Sequence, residues 1–160
     1  MRFRCLLLIP ALFLPACTGF PHGWSEAKRS TPADPVSGAW AGTWRSTGNG
    51  HSGGLRAVAT KVSGNTWNFR YRASWAKILC AGFSLDVTVR PDGKGGWLVS
   101  GSKDLGKTFG GLFTSTGSIR GGSFLATYEA KMDRGVMELS RLVTYDVASD
   151  TTGSVHPKQP

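Results

Sequence analysis

The sequence predicts an all-β fold: a single eight-stranded antiparallel up-and-down β-barrel. Three observations lead there. Apolar and polar residues alternate with period two along several segments, Gly- and Asn-rich turns separate those segments, and no helical period is sustained between residues 38 and 146. The first is plainest at Trp67, Phe69, Tyr71 and Ala73, interleaved with Asn68, Arg70, Arg72 and Ser74. Phe83, Leu85, Val87 and Val89 repeat the pattern, as do Phe124, Ala126, Tyr128 and Ala130. Aromatic and β-branched residues in this rhythm suit a pleated, half-buried surface.

Turn chemistry sets the boundaries. Gly48-Asn49-Gly50, Ser63-Gly64-Asn65, the run from Pro91 to Gly96, and Asp133-Arg134-Gly135 supply residues that reach positive φ or start a turn. The expected strands are 40–46, 55–62, 66–74, 83–90, 97–103, 111–119, 123–131 and 136–144, with room for a helical turn over 75–81. Eight strands joined by short turns form a meander, and closing it into a barrel removes its two exposed edges. A barrel of that size is either filled by side chains or wide enough for one small ligand.

The flanks read differently. Met1-Arg2-Phe3-Arg4, an apolar run from Cys5 to Pro15, and Ala16 before Cys17 have the layout of a secretory signal peptide over residues 1–16. The run is interrupted by Pro10 and Pro15 and falls short of the roughly 20 apolar residues of a spanning helix. Leu14-Pro15-Ala16-Cys17 resembles the bacterial lipobox, with Pro15 where a small or β-branched residue is usual. That resemblance implies lipidation at Cys17, hence a lipid anchor in the cell envelope. Thr18 rather than Asp after the Cys implies the outer membrane, facing the periplasm. Ordinary cleavage, leaving Cys17 as a thiol or as a partner for Cys80, is the alternative. Residues 17–37 hold Pro, Ser and Thr without an apolar period and read as a flexible tether, and 147–160 read as a disordered tail.

The chain carries +9 formally. An exported basic domain is drawn to anionic surfaces, so an acidic protein or polysaccharide partner is expected, and nucleic acid is not.

At Gly42-Thr43-Trp44 and Arg141 the sequence resembles the calycin superfamily of lipocalins, fatty-acid-binding proteins and avidins. Those proteins carry Gly-x-Trp on the first strand and a basic residue on the last that packs across the Trp. The resemblance implies a lipocalin-like barrel closed by Trp44 and Arg141. A longer array including Asn49-Gly50-His51, Asp104-Leu105-Gly106, Tyr128, Asp133, Gly135 and Glu138 is similar to uncharacterised bacterial proteins of the same size, which bring no activity with them.

Catalytic chemistry has little to build on. His51 is the single histidine of the expected domain, no metal-ligand spacing occurs, and Cys80 has no base signalled nearby. Asp86 and Glu138 read as cross-strand ion-pair partners, and the glycines between Gly106 and Gly122 lack the Lys and Ser/Thr of a phosphate loop. No enzyme, metal or cofactor is expected. The aromatic faces point instead to a small hydrophobic or amphipathic ligand or lipid, held by Trp67, Phe69, Tyr71, Phe83, Trp97, Phe124 and Tyr128. A solid core serving protein interaction or inhibition of an envelope enzyme is the competing expectation.

Overall fold

The computed structural model describes residues 20–76, 79–107 and 111–142. The expected signal peptide, Cys17 and the tail 147–160 lie outside them. Eight antiparallel strands follow one another around a closed barrel: β1 Gly38–Ser46, β2 Ser52–Ser63, β3 Thr66–Trp75, β4 Leu79–Pro91, β5 Trp97–Asp104, β6 Leu112–Arg120, β7 Ser123–Glu129 and β8 Arg134–Arg141. Closure is made by the β1–β8 ladder, which runs from Trp40 opposite Arg141 to Ser46 opposite Gly135. No helix among the described residues is long and apolar enough to cross a membrane.

Strand parity decides which side chains face inward. Phe124, Ala126 and Tyr128 of β7 and Met137 and Leu139 of β8 point into the barrel, while Leu125 and Glu138 point out. Two strands come close where glycine leaves room: a Cβ on Gly42 would collide with the carbonyl of Glu138, its β8 neighbour. The helical turn expected over 75–81 is replaced, as far as the chain is described, by strand. Trp75 and Leu79 are cross-strand partners at the top of the β3–β4 hairpin, with Lys77 and Ile78 outside the described residues.

The wall is uneven. The β4–β5 ladder runs only from Val87 opposite Gly101 to Pro91 opposite Trp97. Beyond it the upper part of β4 pairs with β3 alone, and Lys103 of β5 spans the gap to donate to the Ser84 hydroxyl at 3.1 Å.

The flexible tether expected over 17–37 needs correction. Helix α1, Phe20–Arg29, lies outside the barrel against β1 and β2. Phe20, Trp24 and Ala27 recur at helical spacing and pack on Ala39 and Val58. Arg56 sits over the Trp24 ring at 5.4 Å and Arg70 over Phe20 at 6.0 Å. Gly23 makes that seat possible, because a Cβ there would strike the Arg70 guanidinium. Lys28 and Arg29 in the last turn complement the helix dipole.

The segment from α1 to β1 plugs one end of the barrel, its base. Asp34 accepts hydrogen bonds from the amides of Val36 and Ser37 and from the Ser37 hydroxyl, at 2.8, 2.7 and 2.6 Å. This turn drives Val36 into the core beneath Trp40, whose indole donates to the Val36 carbonyl at 2.9 Å. The Trp67 indole donates to the Ser37 hydroxyl at 3.2 Å.

Candidate functional site

The barrel is filled in its lower half and hollow in its upper half. A run of rings climbs from base to mouth. Trp40 meets Phe124 edge-on with centroids 6.1 Å apart, and Phe124 meets Phe69 at 5.5 Å. From Phe69 the run continues through Tyr71 at 5.7 Å, Phe83 at 5.0 Å, Phe113 at 5.1 Å and Tyr128 at 5.7 Å. Offset and edge contacts of this kind each add stabilisation beyond simple burial. Above this packing lies a cavity of about 340 Å³, open at the mouth, at the small end of ligand pockets.

Each wall residue follows from its strand. Trp44 of β1, Leu55 of β2, Ala73 and Trp75 of β3, Ala81 and Phe83 of β4, Phe113 of β6, Tyr128 of β7 and Met137 of β8 occupy successive inward positions. The small residues Ala73 and Ala81 face each other across β3 and β4, and with Leu55 they leave the volume that larger side chains fill lower down. Trp44 and Trp75 meet edge-to-face at 6.3 Å on one side of the mouth, with the Trp44 indole directed at the Ser74 carbonyl.

A polar network finishes the rim. Asp133, in the β7–β8 turn, accepts from the Tyr128 hydroxyl at 2.9 Å, from the Arg134 amide at 2.8 Å and from the Ser46 hydroxyl. Ser46 in turn accepts from the amides of Gly48 and Asn49, and Asn49 receives the His51 amide at 2.9 Å. Burial, reinforced by the Asp133 carboxylate, pushes the Tyr128 hydroxyl well above the ordinary tyrosine range. That hydroxyl remains a donor at any physiological pH.

The expected ligand-binding set divides in two. Phe83 and Tyr128 line the cavity. Trp67, Phe69, Tyr71 and Phe124 are buried in the packed half below it, and Trp97 packs against that core from the side. Among the described residues the Tyr71 hydroxyl has no hydrogen-bond partner, and burial raises its pKa. Trp44, Trp75, Phe113 and Asp133 take the places that Trp67, Phe69, Tyr71, Phe124 and Trp97 were expected to hold.

The expected Trp44–Arg141 closure is not formed. Trp44 stands at the mouth opposite Met137, four residues up β1 from Trp40, which is the partner of Arg141. The Arg141 guanidinium donates to the carbonyls of Asp34 and Ser37, the latter at 2.7 Å, and so ties β8 to the base plug. Gly38-Ala39-Trp40, four residues before the triplet first singled out, repeats the Gly-x-Trp pattern and was the sequence signal for this contact.

The remaining candidates are surface groups. Asp86 accepts from the Asn68 amide at 2.6 Å across β3 and β4 rather than from an arginine. Cys80 is half-buried, with an Arg72 guanidinium nitrogen 3.9 Å from its sulfur. Among the described residues no three His, Cys, Asp or Glu side chains gather into a metal site. Compared with known proteins, the chain matches no family model, no curated protein and no solved structure.

Proposed function

We propose that the protein is an exported, lipid-anchored barrel of the calycin type that binds one small hydrophobic or amphipathic molecule in the cell envelope, facing the periplasm from the outer membrane. The observation that carries this reading is the division of the barrel interior. A lower half closed by Trp40, Phe69 and Phe124 carries an aromatic cup of about 340 Å³. A protein that needed only a stable core would gain by filling that volume, because unfilled apolar space forfeits packing. The basic start of the chain and the Leu14–Cys17 segment support export and acylation at Cys17. Gly38-Ala39-Trp40 with Arg141 at the barrel base supports the calycin likeness.

Incubation of the purified chain with a lipid extract, followed by native mass spectrometry, should reveal a bound small molecule. The same experiment on Ala81→Phe, which fills the cup, should return the bare protein mass. Bare protein in both cases would defeat the reading. Labelling of cells with a palmitate analogue should tag the chain and spare Cys17→Ser.

A second reading is favoured by one observation on the outer wall. Arg56 and Arg72 stand directly opposite each other on β2 and β3, with Arg70 beside them. Like charges so placed repel, and an acidic protein or polysaccharide would relieve them. Retention on an acidic polysaccharide at low salt, lost in Arg56→Ser/Arg72→Ser, is the expected result. Equal retention of both proteins would sink it.

A further inference from the structure

The charge inside the cup is opposite in sign to that of the molecule. The chain carries 19 Lys and Arg against 10 Asp and Glu, yet among the described residues no Lys or Arg lines the cavity and Asp133 does. The Asp133 carboxylate is fixed by Tyr128, Ser46 and the Arg134 amide. Those contacts orient the carboxylate without cancelling its charge. The ion pair formed among the described residues is Arg120 with Asp92, at the opposite end of the barrel. Around Asp133 the lining offers the side chains of Asn49 and His51 at the rim and the ring surfaces of Trp44, Trp75, Phe83, Phe113 and Tyr128.

Aromatic faces carry negative potential, and rings grouped around a cavity attract a cation that has shed its water. A carboxylate at the rim adds a full negative charge in a partly desolvated place, where it acts more strongly than in bulk water. An anionic headgroup entering the same space would lose hydration and meet no Lys or Arg among the described lining residues, only the side chains of Asn49 and His51 beside the Asp133 carboxylate.

Resting on the proposal that the cup binds a ligand, we propose that this ligand is an organic cation. It would be an amine or quaternary ammonium with a short apolar body, and carboxylates would be rejected. The volume sets its size. At the ~30 Å³ that a water-sized group occupies in a liquid, the cup holds about a dozen non-hydrogen atoms. The apolar body would lie on Leu55, Ala73, Phe83 and Met137, with the cationic head between the Trp44–Trp75 pair and Asp133.

Three probes with one tail test this on the full purified chain: octyltrimethylammonium, octanol and octanoate. Binding is followed by calorimetry and by the fluorescence of Trp44 and Trp75. Octyltrimethylammonium should bind at least about tenfold more tightly than octanoate, with octanol between them. In Asp133→Asn the ratio of cation to octanol affinity should fall about tenfold, with the unfolding midpoint in urea measured separately to show that the variant is folded. A ratio equal to wild type in a folded variant would overturn the inference. Trp75→Leu should weaken the cation more than the alcohol. Octanoate binding as tightly as the cation would overturn the inference and leave the ligand-binding reading standing. Failure of all three probes would overturn both.

Discussion

Arg141 stands opposite Trp40 in the ladder that closes the barrel, and its guanidinium holds the carbonyls of Asp34 and Ser37. One side chain thus joins the last strand, the first strand and the segment that plugs the base. Arg141→Met should cost about 2–3 kcal/mol in urea unfolding, since hydrogen bonds to charged groups are worth about 1.5–3 kcal/mol. Arg141→Lys should recover part of the loss, because both carbonyls accept from one guanidinium nitrogen and an ammonium also carries several donors on one nitrogen, at shorter reach. An unchanged unfolding midpoint would remove Arg141 from the closure.

The two tryptophans of β1 should respond oppositely. Trp40 is fully buried in the packed base, and Trp40→Ala should cost about 3–5 kcal/mol as expected for an emptied core position. Trp44 is half-exposed at the mouth, so Trp44→Ala should cost about 1 kcal/mol or less by the same reasoning. Ligand affinity, measured separately, should fall in Trp44→Ala.

Acid should loosen the base plug. Burial raises the pKa of Asp34, but hydrogen bonds from the Ser37 hydroxyl and amide and the Val36 amide outweigh it and hold the carboxyl below the usual value of 3.8. A carboxyl depressed in the folded state stabilises above its unfolded pKa, and that contribution is lost as pH falls through the folded pKa. Stability measured by chemical denaturation should therefore decline as pH drops below about 3.8. Asp34→Asn should be less stable at neutral pH and flatter across this window. A parallel pH profile for wild type and variant would refute the assignment.

The unpartnered Tyr71 hydroxyl is a cost the fold carries. Tyr71→Phe keeps the stacking with Phe69 and Phe83 and removes a buried unsatisfied group, so it should stabilise by about 1 kcal/mol. A loss of that size would mean the hydroxyl is satisfied.

Much of the wall was legible in the sequence because period-two alternation and turn residues are local signals. Phe83 to Val89 and Phe124 to Tyr128 face inward as their parity required. The register between distant strands was not legible. Nothing in Gly42-Thr43-Trp44 itself tells whether Trp44 or Trp40 meets Arg141, because that depends on where β1 begins, and it begins at Gly38. Helix α1 was hidden by Gly23 and by weak local propensity. Its stability comes from the seat on Ala39 and Val58, and the 20–24–27 spacing was its single trace. Which residues line the cup was not legible for a related reason. Whether an inward aromatic packs or lines a space depends on its height in the barrel and on small partners such as Ala73 and Ala81.

The short β4–β5 ladder has a consequence for how the barrel breathes. Elsewhere the strands are paired along most of their lengths, but above Val87 the side of β4 that faces β5 has no neighbouring strand among the described residues. Amides on that side, between Leu79 and Asp86, lack a β5 partner among the described residues and should exchange hydrogen fastest among those of β4. Any widening of the mouth is expected at this seam, where the Lys103–Ser84 contact is the bond that bridges β4 and β5. If the cup takes a ligand broader than its mouth, Lys103→Met, which removes the bridge across this seam, should speed association while leaving the lining unchanged.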